Sequence, residues 1–249
     1  MKKIAMIPAR YAATRFPYKL MQPLGNKTVI RHTYDNTKAT GLFDDVVVVT
    51  DSEIIYREIV QHGGNAIMSI REHESGSDRI AEAAEKLDVD IILNVQGDEP
   101  FIDKDSLKKL MLAFEDSAVQ VASVMKKMND ESLKENPNYV KVVVDKKMNA
   151  LFFSRSIIPY PREKEIATTH FEHIGVYAFR KAALLQFTQW DATPLEIAEK
   201  IECLRYLENG VTLKMILTEH DGVKIDVPED LEKAERYLLS TSTNNNATN

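Results

Sequence analysis

Residues 46–49 are Val46-Val47-Val48-Val49, an uninterrupted apolar run that predicts a β-strand buried on both faces. Similar short apolar runs occur on either side of it along the chain, and amphipathic stretches that predict helices separate them. The predicted strands of this half are 4–7, 46–49, 66–68 and 91–95, and the predicted helices are 29–39, 53–62, 77–87 and 104–115. Buried strands that alternate with helices predict an α/β, Rossmann-like fold, with a mostly parallel sheet and helices on both faces.

The second half of the chain has a more mixed pattern. Its predicted strands are 119–125, 140–144, 151–153, 173–179 and 211–217, and its predicted helices are 182–187, 195–208 and 229–239. We expect these elements to complete the sheet and to add a small β-rich lobe. No linker or repeat divides the sequence, so residues 1–239 are predicted to form a single domain. Residues 240–249 are polar and of low complexity, which predicts a disordered tail.

Composition excludes several classes of protein. The 249-residue chain is 44% hydrophobic and 28% charged, which is typical of a folded domain, and its net charge of -6 argues against a general nucleic-acid binder. Cys203 is the single cysteine, so no intrachain disulfide can form, and a reducing cytosolic compartment is expected. We expect neither a signal peptide nor membrane insertion, because no apolar run is long enough.

The loop after the first predicted strand carries three cations. Residues 8–19 have the sequence PARYAATRFPYK, in which Arg10, Arg15 and Lys19 lie close together. Ligands of parallel sheets bind at the carboxyl ends of strands, and a triphosphate needs cations to offset its charge. The loop therefore predicts phosphate binding, although it lacks the P-loop pattern and a solvated basic loop is the alternative.

Two carboxylates could hold a metal. Asp98 lies in NVQGDEP (94–100), directly after a predicted strand, and Asp226 ends a short predicted strand in GVKIDVPED (222–230). Mg²⁺ takes one or two carboxylates and bridges substrate phosphates, so both aspartates are candidate ligands. A simple turn at Asp98 and a helix cap at Asp226 are the alternatives.

The segment ESGSDR (74–79) enters a predicted helix with Ser75 as its cap. Free backbone N–H groups at such a position could hold a base or a phosphate. A plain capping turn is the alternative.

Together these segments resemble the 3-deoxy-manno-octulosonate (Kdo) cytidylyltransferases, also called CMP-Kdo synthetases. The resemblance extends in order from about residue 3 to residue 239. Its seven segments are PARYAATRFPYK, ESGSDR, NVQGDEP, NPNYVKVVVD, FFSRSIIPYPR, HIGVYAFR and IDVPEDLEKAE.

The resemblance implies a role for each matching residue. Lys19, Asp98 and Asp226 would be catalytic, with Asp98 and Asp226 as Mg²⁺ ligands. CTP would be bound by Arg10, Arg15, Lys19, Ser75, Gly76, Ser77 and Gln96. The acidic sugar would be bound by Arg79, Gln96, Arg155, His173, Tyr177 and Glu202.

The resemblance also implies the reaction and the assembly. The anomeric hydroxyl of Kdo would attack the α-phosphorus of CTP, giving CMP-Kdo and pyrophosphate for lipopolysaccharide biosynthesis. The enzyme would be a nucleotidyltransferase and a homodimer paired through the β-rich lobe. No covalent intermediate is needed, so Cys203 is expected to be a core residue rather than a nucleophile.

Physical arguments bear on three of the implied sugar contacts. The Arg155 guanidinium could bind the sugar carboxylate through two hydrogen bonds at once. His173 and Tyr177 are four residues apart on a predicted strand, so their side chains should face the same way. Apart from the resemblance, an ordinary structural histidine is the alternative for His173.

Two positions depart from the family pattern. Tyr18 stands where the family has glycine, and a tyrosine there could restrict the loop or prevent a positive φ. Cys203 stands where the family often has glutamine, and a thiol cannot form the same amide hydrogen bonds. A cytidylyltransferase for another acidic sugar, such as an amino-Kdo analogue or a sialic acid, and a catalytically silent nucleotide-binding relative therefore remain alternatives.

Overall fold

The structure is a computed structural model, and it describes residues 1–12, 16–73, 75–163, 167–220 and 222–246. The strands are β1 (Lys3–Ala9), β2 (Pro23–Leu24), β3 (Lys27–Thr28), β4 (Asp45–Thr50), β5 (Asn65–Met68), β6 (Ile91–Asn94), β7 (Val121–Lys127), β8 (Lys141–Val144), β9 (Ala150–Ser154), β10 (Phe171–Arg180) and β11 (Leu213–Thr218). The α-helices are α1 (Val29–Ala39), α2 (Glu53–Gln61), α3 (Gly76–Glu85), α4 (Lys104–Leu112), α5 (Glu131–Lys134), α6 (Lys181–Phe187), α7 (Pro194–Glu199), α8 (Leu204–Glu208) and α9 (Pro228–Asn246).

The chain forms two compact units. The first unit comprises the described residues up to Asp103 together with those from 222 onward, and the second comprises Lys104–His220. The predicted single domain over residues 1–239 stays a prediction.

A parallel sheet forms the centre of the first unit. Its strands lie in the order β5-β4-β1-β6, so β1 is flanked by β4 and β6. The predicted valine strand is confirmed, since Val48 and Val49 are fully buried in β4. Helices α1, α2 and α3 pack on these strands, and a short antiparallel pair, β2–β3, precedes α1.

Each of those three helices begins at a hydroxyl cap. Thr28 accepts a hydrogen bond from the N–H of Arg31 in α1, Ser52 caps α2 and Ser75 caps α3. Such caps satisfy N–H groups that the first helical turn leaves without partners. The bounds predicted for α1 are confirmed residue by residue, and those for α2 and α3 to within two residues.

Strand β7 is the centre of the second unit. It pairs with β11 in parallel and with β10 in antiparallel orientation, and β10 also pairs with β8, which continues to β9. Helix α4 packs on β7 and β11, and α6 packs on β10. The α/β class with a mostly parallel main sheet is therefore confirmed, and β8 with β9 supplies the predicted β-rich part.

Two element predictions are wrong. The helix predicted over 195–208 is interrupted, because Lys200 adopts a left-handed conformation (φ 54°) and separates α7 from α8. The strand predicted before Asp226 is not formed, and residues 222–225 have no regular structure.

Two helices also differ from prediction in length. Helix α4 ends at Leu112 and a 3-10 turn follows it. Helix α9 continues to Asn246, beyond residue 240 where the tail was predicted to begin. The predicted disorder of 240–249 stays a prediction.

Candidate active site

The first site lies at the carboxyl end of the parallel sheet in the first unit. Strands β1 and β6 are neighbours in register, with Met6 opposite Asn94, so the segments that follow them leave the sheet side by side. The N–H of Ile225 donates to the carbonyl of Asp98 at 3.0 Å, and this bond brings the segment before α9 to the same place. Residues far apart in the sequence thereby meet at one edge.

Helix α1 holds the loop after β6. The Thr33 hydroxyl donates to the carbonyl of Gly97 at 2.9 Å, and the Asn36 amide donates to the carbonyl of Pro100 at 2.6 Å. A Cβ atom on Gly97 would lie 3.3 Å from both Leu20 Cδ1 and the Pro8 carbonyl. The close packing at Gly97 fixes the position of the backbone next to it, from which the Asp98 side chain extends.

Lys19 joins the two predicted metal ligands. Its ammonium forms an ion pair with Asp98 Oδ2, and its Nζ lies 3.2 Å from Asp226 Oδ1. Lys224 Nζ lies 3.2 Å from Asp226 Oδ2. The structure therefore brings together all three predicted catalytic residues and adds a second lysine. The carboxylate of Asp226 pairs with the two lysines instead of acting as a helix cap. Asp230 accepts a hydrogen bond from the N–H of Asp226.

The cluster has mutually compensating charges. Burial acts to raise the pKa of Asp226, but Lys224 and Lys19 outweigh it and lower that pKa below its usual value. Burial acts to lower the pKa of Lys224, but Asp98 and Asp226 outweigh it and raise that pKa. Burial, with the Asp98 charge in second place, raises the pKa of Glu99 to about 7. Asp226 thus remains ionised at neutral pH while Lys224 remains protonated.

The residues fit a divalent cation. Asp98 Oδ1 is a buried carboxylate oxygen that has no hydrogen-bond partner among the described residues, and Lys19 already places positive charge between Asp98 and Asp226. Within those residues no group of three or more His, Cys, Asp or Glu side chains could hold a metal. A cation held by Asp98 and Asp226 would therefore complete its shell with water and substrate oxygens, as Mg²⁺ commonly does.

The N-terminus of α3 packs against the end of β1, at Pro8. A Cβ atom on Gly76 would lie 3.0 Å from Pro8 Cγ, so only glycine fits without a shift. Ser75 accepts from the N–H of Asp78 at 3.1 Å, which confirms the predicted cap. Ser77 is buried in the first turn of the helix.

Arg79 is buried beneath the same edge of the sheet. Its Nη2 donates to Asp51 Oδ2 at 2.7 Å, and its Nη1 lies 3.4 Å from the carbonyl of Ala9. Asp51 therefore neutralises the guanidinium, and Arg79 braces the ends of β1 and β4. The predicted sugar contact of Arg79 stays a prediction.

The remaining predicted CTP residues differ in placement. Arg10 is exposed directly after β1, and Gln96 is half-buried after β6. Arg15 lies outside the described residues.

Tyr18 adopts the backbone conformation that glycine favours. Its φ is 58°, immediately before the 3-10 turn that carries Lys19, and the N–H of Met21 donates to its carbonyl at 2.8 Å. Its ring lies 4.5 Å from the ring of Tyr11, centroid to centroid. The expectation that a tyrosine would prevent a positive φ here is wrong.

A second group of predicted residues lies in the second unit. The rings of His173 and Tyr177 are 5.3 Å apart, so the prediction that they face the same way is confirmed. Burial raises the pKa of Tyr177 well above its usual range, and the nearby Cys203 and Glu202 add to the rise. Glu202 therefore lies close to this aromatic pair. Cys203 is fully buried and shares a hydrogen bond with Tyr177, as expected of a core residue.

Arg155 caps the end of α7. Its Nε donates to the carbonyl of Glu199 at 2.6 Å, and its Nη2 lies 3.3 Å from the carbonyl of Lys200. Its Nη1 donates to the carbonyl of Pro137 at 2.8 Å. A cation at a helix C-terminus satisfies carbonyls that the helix leaves unpaired. These bonds also explain why the helix predicted over 195–208 breaks at Lys200.

Lys141 holds the backbone of Arg155 in place. Its side chain is fully buried, and its ammonium donates to the carbonyls of Asn136, Tyr139 and Arg155. Three carbonyls match the three donors of an ammonium, so the buried charge is solvated by backbone. Lys141 thereby joins the NPNYVKVVVD segment to FFSRSIIPYPR.

Comparison with known proteins identifies the family. A profile described as cytidylyltransferase matches residues 4–216. A 3-deoxy-manno-octulosonate cytidylyltransferase of Flavobacterium johnsoniae is 58% identical over 96% of this chain and 99% of its own length. The chain belongs to the 3-deoxy-manno-octulosonate cytidylyltransferase family. The resemblance inferred from the seven segments is therefore confirmed.

Other members of this cytidylyltransferase family agree in sequence and in structure. The relative from Christiangramia forsetii, named as the same enzyme, is 54% identical over 94% of this chain and 96% of its own. A solved structure of CMP:2-keto-3-deoxy-manno-octonic acid synthetase complexed with CTP has a TM-score of 0.92 and 34% identity. It covers 97% of this chain and 100% of that chain. The nucleotidyltransferase fold is thereby confirmed.

Sequence reasoning missed several residues of these sites. Lys224 and Glu99 belong to quoted segments, and their closeness to Asp226 and Asp98 in sequence was the available signal. Lys141 lies in a quoted segment too, where a lysine within the apolar run 140–144 could have drawn attention. Ser123, which contacts His173, had no sequence signal beyond being polar in an apolar strand.

Proposed function

We propose that this chain transfers CMP from CTP to 3-deoxy-manno-octulosonate (Kdo), giving CMP-Kdo and pyrophosphate. The observation that carries the proposal is the cluster of Lys19, Asp98, Asp226 and Lys224 at the carboxyl edge of the sheet, in a chain 58% identical to a protein named for this activity. Two lysines and two aspartates suit a triphosphate and its counter-cation.

The reaction follows from charge placement. The anomeric hydroxyl of the sugar attacks the α-phosphorus and loses its proton to solvent, the bond from the α-phosphorus to the oxygen that bridges to the β-phosphate breaks, and pyrophosphate leaves with the electron pair. Lys19 and Lys224, which pair with Asp98 and Asp226, would neutralise the phosphates, with Arg10 and Arg15 as further candidate contacts from the loop after β1. The protein's task is chiefly to orient the two reactants in line and to offset charge.

Magnesium is part of the proposal. Asp98 and Asp226 would hold Mg²⁺, which would supply charge neutralisation on the phosphates and lower the pKa of a bound hydroxyl. Lys19 would exchange its carboxylate partners for phosphate oxygens when CTP binds. The α3 N-terminus, with Ser75, Gly76 and Ser77, would contribute main-chain N–H groups to the nucleotide.

The sugar site is proposed from the second unit. His173, Tyr177 and Glu202 lie together there and Arg155 is held by three backbone carbonyls, and these residues would contact Kdo. Arg79 and Gln96 remain candidate sugar contacts of the first unit. The chain would be a homodimer paired through β8 and β9, would act in the cytosol and would supply lipopolysaccharide biosynthesis. None of its described helices is long and apolar enough to cross a membrane.

Pyrophosphate release tests this proposal. We expect release from CTP and Mg²⁺ only when Kdo is present, with CMP-Kdo identified by mass spectrometry. Asp98→Asn should be inactive, and Asp88→Asn is the matched control, because Asp88 is an exposed aspartate before the start of β6 rather than after its end. Release that does not depend on Kdo, or equal loss in both variants, would refute the proposal.

A substrate panel separates the alternatives. Faster turnover with a sialic acid or an amino-substituted Kdo than with Kdo would move the assignment to that sugar. Binding of CTP with no product from any acidic sugar would indicate a silent relative.

A further inference from the structure

Ser123 lies at an irregularity between β7 and β10. The register passes from Ile174 opposite Val124 to Tyr177 opposite Ser123, so β10 carries extra residues there. This bulge turns two carbonyls of β10 toward one hydroxyl, with Ser123 Oγ 2.8 Å from the oxygen of Val176 and 3.2 Å from that of Ile174. A β-bulge commonly re-aims side chains near a functional site.

The same hydroxyl contacts His173. Ser123 Oγ lies 2.9 Å from His173 Nε2, and both residues are buried. A serine hydroxyl has one proton to donate and lone pairs with which to accept. If that proton went to Nε2, the serine oxygen would face two carbonyl oxygens with no proton between them. Donation to the Val176 carbonyl, the shorter of the two contacts, avoids this and favours a hydrogen bond from the ring Nε2–H to the serine.

We propose that Ser123 is a positioning residue that fixes His173 as its Nε2–H tautomer, so that Nδ1 accepts a hydrogen bond from a hydroxyl group of the sugar acid. A neutral imidazole carries one proton, so a proton on Nε2 leaves a lone pair on Nδ1. The tautomer half stands on the contacts of Ser123 alone. The sugar half rests on the proposed function, which places His173 against the sugar.

The surroundings keep the ring neutral and still. Burial lowers the pKa of His173 to about 3, and no charged group contributes to that shift. The ring lies 4.8 Å from the ring of Phe153 and 5.3 Å from that of Tyr177, in edge-to-face arrangements. Both contacts restrict rotation of the imidazole about its Cβ–Cγ bond. The ring orientation that pairs Nε2 with Ser123 therefore also fixes the direction of Nδ1.

This assignment predicts what His173 recognises. A lone pair at Nδ1 attracts an O–H donor and repels a carboxylate, so His173 selects a hydroxyl of the sugar and leaves its acid group to cations. A sugar analogue that lacks that hydroxyl should lose binding, because the histidine would then bury an acceptor without a donor.

Nitrogen NMR of histidine-labelled protein tests the tautomer without substrate or turnover. We expect the His173 signal, assigned by its loss in His173→Gln, to show a protonated Nε2 and an unprotonated Nδ1 between pH 6 and 8. A protonated Nδ1, or a ring with both nitrogens protonated, would overturn the proposal. In Ser123→Ala we expect a mixture of tautomers or the Nδ1–H form, and an unchanged Nε2–H tautomer there would also overturn it.

Steady-state kinetics test the consequence for the sugar. Ser123→Ala should raise the KM for the sugar about tenfold while leaving the KM for CTP unchanged. The reason is that losing the fixed tautomer of His173 weakens one hydrogen bond, the one from the sugar hydroxyl to Nδ1. Ser106→Ala is the matched control, because Ser106 is another buried serine of the same unit whose hydroxyl bonds to Thr218 rather than to a histidine. Rescue by Ser123→Thr, which keeps a hydroxyl, would support the role.

The two proposals fail separately. Equal effects of Ser123→Ala on both KM values, or the same loss in Ser106→Ala, would reduce Ser123 to a structural role and overturn the inference. If the NMR shows the Nε2–H tautomer in the wild type but Kdo is not turned over, the proposed function fails while the tautomer assignment is supported.

Discussion

Lys19 Nζ lies 3.2 Å from Asp226 Oδ1, and the same ammonium pairs with Asp98, so one lysine neutralises both predicted metal ligands. The two residues are separated by most of the chain and meet because Ile225 is hydrogen-bonded to the carbonyl of Asp98. The Lys19 ammonium lies between the two carboxylates that would attract a divalent cation. Lys19 and the cation therefore compete for the same carboxylates until a nucleotide offers Lys19 other partners.

Lys19→Met should strengthen metal binding in the absence of CTP. Removing a unit charge about 3 Å from a half-buried carboxylate changes the local potential by several kcal/mol at an effective dielectric near 20. We expect the dissociation constant for Mn²⁺, measured by electron paramagnetic resonance, to fall at least about tenfold. Lys27→Met, which breaks the pair with Asp35 elsewhere in the same unit, should leave it unchanged. Weaker Mn²⁺ binding in Lys19→Met would show that the lysine organises the carboxylates rather than competing for them.

Asp98→Asn should abolish turnover while leaving the fold intact. The side chain is isosteric, but the amide cannot supply the charged oxygen that Asp98 presents, whose Oδ1 is buried without a partner among the described residues. We expect kcat to fall at least about 100-fold, with circular dichroism and the urea midpoint close to wild type. A folded Asp98→Asn protein with a near-normal rate would remove Asp98 from the mechanism.

Tyr18 gives a prediction about stability, because a left-handed φ of 58° favours glycine. We expect Tyr18→Gly to be more stable than Tyr18→Ala by about 1 kcal/mol, since both lose the ring contact with Tyr11 and only alanine keeps the strained Cβ. Exposed Leu112, with a helical φ of -64°, is the control, and there alanine should be the more stable replacement.

Urea unfolding of both pairs measures the difference. The same order of glycine and alanine at positions 18 and 112 would contradict the argument from φ.

Local signals in the sequence were sufficient for the parallel strands and the first three helices of the first unit. The valine run of β4 and the Ser75 cap of α3 each depend on neighbouring residues, and both were predicted. The cluster at Asp98 was predictable as a meeting of strand ends. Lys224 was not assigned although its partner Asp226 is two residues away, because a hydrogen bond between Ile225 and the distant Asp98 carbonyl is what brings this segment to the cluster.

The second unit depends on contacts that sequence periodicity does not encode. The predicted helix over 195–208 has a continuous amphipathic pattern, yet Arg155 draws the carbonyls of Glu199 and Lys200 away from it. Ser123 acquires its role only from the bulge in β10, which is a property of register between two strands. Such long-range pairing decides local structure and could not be deduced from either segment alone.

The pH dependence of stability should report His173. Its pKa is about 3 in the folded protein against an ordinary value of 6.5, so below pH 6.5 the unfolded chain binds a proton that the folded protein does not. The free energy of unfolding therefore falls as the pH drops from 6.5 toward 3, and the contribution is fully present only above 6.5. Between pH 7.5 and 5 this one group accounts for a loss of about 2 kcal/mol in the free energy of unfolding.

Urea unfolding at pH 7.5 and pH 5 measures this contribution. The free energy of unfolding of His173→Gln, whose amide N–H can still donate to Ser123, should fall by about 2 kcal/mol less than that of the wild type between the two pH values. His62→Gln is the control, because His62 is an exposed histidine at the end of α2. An equal pH dependence in the wild type and His173→Gln would mean that the pKa of His173 does not change on folding, which would contradict a ring kept neutral by burial below pH 6.5.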